Sequence, residues 1–218
     1  QVIKAPSAPT RREIEEHEVT HLPPRTWCHH CVEGRGIAAP HHDHEEEEGR
    51  LPTLGTDFFH MGQSDEPVLP MIAAKEKATK MLFAHMLPSK EVGQHVVDVT
   101  KDDIEFLGLK RFIYKSDGEP AIKAVKTAVT ESLPTTSTVM PEESPVEDHQ
   151  ANGDIENAIR EIGKEIRTLK SSTESKIGRR IASNHPILAW LSAHAAFLIS
   201  RYAVGADGKT AYERSRGE

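Results

Sequence analysis

Apolar positions along the chain fall into two rhythms, and the change from one to the other divides it. Near-continuous or alternating apolar runs at 51–59, 68–74 and 81–87 predict three strands, the last two joined through the polar Lys75-Glu76-Lys77 turn, so that all three can form a meander. The spacing of Val92, Val96, Val97, Val99 and Ile104 predicts a helix over 91–106. A short strand over 111–115 follows, then a helix over 120–129 that opens on Pro120, where a missing N–H costs nothing. Ser, Thr, Pro and Glu dominate 132–148, which predicts a mobile loop. The strongest helical signal covers 152–170, with Ile155, Ala158, Ile159, Ile162, Ile166 and Leu169 on one face. A final helix over 187–204 is apolar almost all round, as a core helix or subunit contact would be. Strands first and strand-helix alternation afterwards predict an α/β fold, a mixed sheet flanked by helices.

Ahead of this domain the composition changes twice. Residues 1–13 read as a disordered lead-in turning helical near Glu13, 14–37 as a small separate unit, and 38–50 as a linker. That linker holds His41-His42-Asp43-His44 followed by Glu45 to Glu48, a composition suited to solvation or to adventitious metal binding. The domain itself spans 51–218. A start at Gln1 and a charged end suggest a piece of a longer polypeptide, and no apolar run approaches membrane-span length. Cys28 and Cys31 are too close to staple a domain, which excludes a disulfide scaffold. The net charge of -7 argues against a nucleic-acid partner until its distribution is considered. Residues 151–218 alone are net positive, with 11 basic and 8 acidic side chains, so DNA is expected there if anywhere.

Three carboxylates are candidates for chemistry. Asp57 sits inside an apolar strand, where a charge is expensive unless it faces a site or cation. Asp117 follows a strand at its carboxyl end, the place where open α/β sheets put their sites. Glu156 lies beside the apolar stripe of the strongest helix, and Arg160, Lys164 and Arg167 share its flank. Hard divalent cations are the usual way to gather three such groups. Spacing alone leaves plainer readings open: a strand-end residue, a Ser-Asp-Gly turn, and a solvated helix face.

The motifs around these residues add a resemblance. Ser116-Asp117-Gly118-Glu119-Pro120 and His149-Gln150-Ala151-Asn152-Gly153-Asp154-Ile155-Glu156-Asn157 resemble the second-aspartate and H-x-x-N-G-x-x-E segments of copia-type retrotransposon integrases. Thr56-Asp57-Phe58-Phe59 is similar to their first-aspartate strand, and 38 residues separate Asp117 from Glu156, close to the D,D-35-E spacing. The similarity runs from about Glu16 to the end, including Gly205 and Lys209-Thr210-Ala211-Tyr212-Glu213-Arg214, which is similar to the family's G-K-T-P-Y-E stretch. Asn157 stands where the family has arginine, and His60 where an aromatic or apolar residue is usual.

The resemblance implies an RNase H-like catalytic core from a Pol polyprotein. Asp57, Asp117 and Glu156 would hold Mg²⁺ or Mn²⁺ for 3′-end processing and strand transfer of element DNA into host DNA. Arg160, Lys164 and Arg167 would contact phosphates of double-stranded DNA, at element ends and target. A homo-oligomer is expected, acting in the nucleus after assembly in cytoplasmic particles, neither secreted nor membrane-bound. The alternative is a degenerate, non-catalytic interaction module that keeps the fold.

A second constellation, His17-x3-His21-x6-Cys28-x2-Cys31, offers four Zn²⁺ ligands within fifteen residues. It resembles the H-H-C-C segment that precedes integrase cores, with a much shorter stretch between His21 and Cys28. His29 and His30 are rival ligands, and Trp27 is the expected core of the small unit. Surface histidines beside an unligated thiol pair are the competing reading.

Overall fold

The structure is a computed structural model that describes residues 9–35, 51–60, 70–143 and 153–217. The acidic His-rich linker and the 61–69 and 144–152 connections, including His149 and Asn152, lie outside the described residues.

One five-stranded sheet organises the domain, in the order β3-β2-β1-β4-β5. Strands β1 (Thr53–His60), β2 (Pro70–Glu76) and β3 (Leu82–Met86) form the expected antiparallel meander. Glu76 fastens its turn by accepting the N–H groups of Ala78 and Thr79 at 3.1 and 2.6 Å. β4 (Arg111–Ser116) then lies parallel to β1, and β5 (Thr138–Glu143) parallel to β4. The mixed sheet read from the sequence is thus present.

Strand alternation divides the apolar residues between the two faces. Ile72, Ala74, Leu54, Phe58, Phe112 and Tyr114 pack against α3 (Gln94–Leu107) and α4 (Pro120–Ser132) through Val97, Ile104, Ile122, Val125 and Val129. Met71, Ala73, Phe59, Leu82 and Ala84 pack on the opposite face under α5 (Gly153–Ile177) and α6 (Ile187–Tyr202). α3 stops at Gly108, whose φ of 66° is left-handed and favours glycine. α7 (Ala211–Arg216) starts on a Thr210–Glu213 capping box.

Two departures from the sequence reading stand out. β5 occupies the centre of the stretch expected to be a mobile loop. It is an edge strand, which needs only one partner and tolerates Pro141, here in register with Tyr114. α5 also runs to Ile177, past the apolar stripe that identified it. At the other edge, Ser200 of α6 plugs β3: its Oγ accepts the Leu82 N–H at 3.0 Å and donates to the Leu82 carbonyl at 3.2 Å.

Candidate active site and metal centre

β1 and β4 are paired in parallel from Thr53 opposite Ile113 to Gly55 opposite Lys115. Continuing that register by two residues brings Asp57 level with Asp117 on neighbouring strands, which lie about 4.8 Å apart. Asp57 shares its parity with Gly55 and Phe59, so it faces the α5 side of the sheet. α5 packs closely there: a Cβ built on Gly55 would lie 3.7 Å from the Ile155 Cβ, in ordinary van der Waals contact. Lys75 of β2 further holds the start of α5, donating to the Asp154 carbonyl at 3.3 Å and pairing with its carboxylate at 3.6 Å. Glu156, in the first turn of α5, is thereby brought over β1.

The neighbouring carboxylates also act on Asp57 through charge. Burial, and after it the negative charge of Asp117, push the Asp57 carboxyl up to about 6, with Glu119 and Glu156 adding to the rise. The Phe58 N–H, which donates to Asp57 Oδ1 at 2.7 Å, opposes the shift. Asp117 is oriented by its own turn, where Oδ1 accepts the Glu119 N–H at 3.0 Å. Asp117, Glu119 and Glu156 thus act on the Asp57 carboxyl through charge, an arrangement that divalent cations with oxygen ligands relieve; among the described residues, the groups whose ligand atoms all lie within 4.8 Å of one another do not include these carboxylates. Glu119 and its partner Lys90, 3.0 Å away, were missed in the sequence reading, although Glu119 stands in the Ser-Asp-Gly-Glu-Pro segment itself. Lys90 also lies 5.3 Å from the centre of the Phe58 ring. Nothing local in the sequence marks it.

At the N-terminal side, α1 (Arg11–Thr20) begins on a Thr10–Glu13 capping box and ends as His21 adopts a left-handed φ of 56°. α2 (His29–Arg35) follows. Together they bring the His17, His21, Cys28 and Cys31 ligand atoms within 4.8 Å of one another, all four residues buried. Cys31 Sγ is 3.3 Å from His17 Nε2, and His21 Nδ1 is 3.5 Å from Cys28 Sγ and 3.9 Å from Cys31 Sγ. Zn–S and Zn–N bonds in a tetrahedron place sulfur and nitrogen about 3.5 Å apart, so the donor set fits Zn²⁺. Burial, followed by the charges of His17 and His30, pushes His21 down to about 4, towards the neutral imidazole a metal needs. Trp27, expected to be the core of this unit, is instead 38% exposed and rests edge-on against the His17 ring. The interior is made by the four ligands themselves. His29 and His30, the rival ligands, lie outside this group.

This zinc-binding segment is docked on the distal half of α5. A Cβ on Gly34 would come within 2.2 Å of Thr168 Oγ1 and 2.8 Å of the Thr168 nitrogen, so only glycine permits the approach. Arg167 Nε donates to the Gly34 carbonyl at 3.0 Å, and Lys176 pairs with Glu18 at 3.2 Å.

No family model matches the chain, and no curated protein matches it in sequence. Solved structures do match. The catalytic core domain of HTLV-2 integrase in complex with magnesium, in its trimeric form, superposes with a TM-score of 0.55 at 14% identity, covering 78% of this chain and 100% of that one. Its dimeric form gives 0.53 at the same identity and coverage. The fold is that of an integrase catalytic core. A simian T-cell lymphotropic virus intasome in complex with the PP2A regulatory subunit B56 gamma gives a TM-score of 0.50 at 16% identity over 78% of this chain. The present chain spans 57% of the length of the matched intasome chain.

On this integrase-core fold the three basic residues read on the Glu156 flank diverge. Arg160 is exposed and donates to the Asn157 side-chain oxygen, one turn from Glu156. Lys164 is half-buried, and Arg167 turns its Nε to the zinc-binding segment. No helix among the described residues is long and apolar enough to cross a membrane.

Proposed function

We propose that this chain is the integrase region of a copia-like retrotransposon polyprotein, a metal-dependent polynucleotidyl transferase. The observation that supports the reading is the register that sets Asp57 level with Asp117 on neighbouring strands of an integrase-core fold, with Glu156 in the first turn of the helix packed over β1. Asp57, Asp117 and Glu156 would hold Mg²⁺ or Mn²⁺, which when bound supplies Lewis-acid activation of water or a DNA 3′-hydroxyl and neutralises charge on the phosphodiester. The chain's own part is positioning. The Phe58 N–H fixes the Asp57 carboxylate, the Glu119 N–H fixes that of Asp117, and Lys75 anchors the turn carrying Glu156. Asp57 is ionised above pH of about 6 and then accepts a cation without a proton to displace. No covalent enzyme intermediate is required: hydrolysis trims element 3′ ends, and transesterification joins them to host DNA.

Arg160 and Lys164 are assigned to phosphates of the bound duplex, with Arg167 contributing through its remaining N–H groups. The zinc-binding segment, with His17, His21, Cys28 and Cys31 as ligands, serves as a structural partner of α5. Action as a homo-oligomer in the nucleus, after assembly in cytoplasmic particles, belongs to the same proposal.

The test mixes the protein with Mg²⁺ or Mn²⁺ and labelled duplex ends, with Asp117→Asn as control. Metal-dependent processing and joining, lost in the variant, is the expected result. Cleavage without joining would indicate an RNase H-like nuclease, and neither would indicate a non-catalytic module that keeps the fold.

A further inference from the structure

Outside the buried zinc cluster, α2 carries a second set of ligand atoms that the proposed function does not use. His29, His30 and Glu33 each offer an atom within 4.8 Å of the other two, at the margin of the contact between α2 and α5. At 100° per residue His29, Glu33 and His30 fall at about 0°, 40° and 100° around the axis, so the carboxylate lies between the two imidazoles. His29 Nε2 is 3.3 Å from Glu33 Oε2, close to the separation of two ligands sharing a tetrahedral zinc ion. Ser171 of α5 reaches into the same group: its Oγ is 3.0 Å from His30 Nδ1 and 3.0 Å from Glu33 Oε2. The cluster therefore bridges the zinc-binding segment and the helix that bears Glu156.

We infer that His29, His30 and Glu33 form a second transition-metal site, an exchangeable Zn²⁺ site that straddles α2 and α5. Two neutral imidazoles and one carboxylate make the three-ligand set of an open zinc centre, with the fourth position left to water or to the Ser171 hydroxyl. The first zinc does not repel the second, because two thiolates cancel its charge. Exposure separates the two sites in lability: the inner ligands are all buried, whereas His29 and Glu33 are exposed and His30 is half-buried. The outer ion is accordingly the one lost first to a mild chelator. When bound, it adds a tie between α2 and α5 beside the Gly34–Arg167 contact.

The experiment compares the full chain with His29→Ala/Glu33→Gln after both are dialysed against the same free Zn²⁺ in excess Mg²⁺, counting zinc per chain by native mass spectrometry and elemental analysis. The double variant is expected to hold one zinc fewer, and the wild-type chain alone should gain thermal stability as the last equivalent is added. Loading with Co²⁺ checks the inner site, whose cysteine-to-cobalt charge-transfer band should be unchanged in the variant. If that band is lost, Glu33→Gln alone is used, with an expected weakening of the outer site of at least about tenfold. Equal zinc counts in wild type and a variant whose inner site is intact, or equal outer-site affinity in Glu33→Gln, would overturn the assignment.

Discussion

Replacing Gly34 with alanine asks whether the zinc-binding segment is truly seated on α5, because the two answers differ in sign. On a segment that merely trails from the domain, alanine in place of a helical glycine stabilises α2 by up to about 1 kcal/mol. On the docked segment, the new methyl meets Thr168 Oγ1 at 2.2 Å and backbone atoms at 2.8 and 3.0 Å, and backbone cannot step aside as a side chain can. Overpacking of this kind costs about 1–3 kcal/mol. Displacement of α2 also lengthens the 3.0 Å Arg167–Gly34 hydrogen bond, a further loss of about 1 kcal/mol. After the propensity gain is subtracted, Gly34→Ala should destabilise the protein by about 1–3 kcal/mol. Equilibrium urea unfolding of the zinc-saturated chain measures this, with Trp190→Phe introduced so that Trp27 alone reports on the segment. Thr168→Ala on the Gly34→Ala background removes the shortest contact and leaves the backbone ones, so recovery should be partial, with a coupling of about 1 kcal/mol. A Gly34→Ala protein as stable as the wild type, or more so, would refute the docked arrangement.

Other expectations follow from the two centres and the basic flank. Cys28→Ser, or removal of zinc by a strong chelator, should raise hydrogen exchange throughout α1 and α2 while β1 to β4 keep their protection, since the segment has little interior besides its ligands. Because the folded-state pKa of Asp57 is raised to about 6, the folded protein holds a proton that the unfolded chain releases near 4. In the absence of divalent metal, stability should therefore fall as pH rises from about 4 to 6, by about 1–2 kcal/mol once partial exposure is allowed for. Asp57→Asn should abolish this slope in pH-dependent thermal melts, and a slope unchanged in the variant would place its origin elsewhere. Arg160→Ala and Lys164→Ala should each weaken duplex binding at all sequences and flatten the dependence of log affinity on log salt by about 0.9 per contact. Fluorescence anisotropy across a salt series tests this, and an unaltered slope would remove that residue from the interface.

The parts of the fold legible in the sequence are those whose partner is apolar. Ile155, Ala158, Ile162 and Ile166 announce α5 because they pack on the sheet. In its distal half the helix leans on α2 through Thr168, Ser171 and the bare backbone of Gly34, and small polar contacts leave no hydrophobic period to detect. β5 was hidden for a related reason, since an edge strand with Pro141 and two glutamates has one neighbour and no continuous buried face. The three carboxylates could be named because each breaks a local rule or sits in a distinctive segment. Glu119 stands in one of those segments and was passed over, whereas Lys90 could not be named, since its meeting with Glu119 depends on how the chain after β3 and the start of α4 are placed in space.

The Ser200 plug on β3 has a counterpart at the far margin of the sheet, where Pro141 has no N–H to give. A free border is what templates strand addition, domain exchange and fibrillar stacking, and here one border is stoppered by a hydroxyl while the other carries an imino acid next to Glu142, which pairs with Lys115 at 3.1 Å. A strand added beside β3 would have to displace the Ser200 hydroxyl from both backbone groups of Leu82, so an intruding chain gains two hydrogen bonds there only by breaking two.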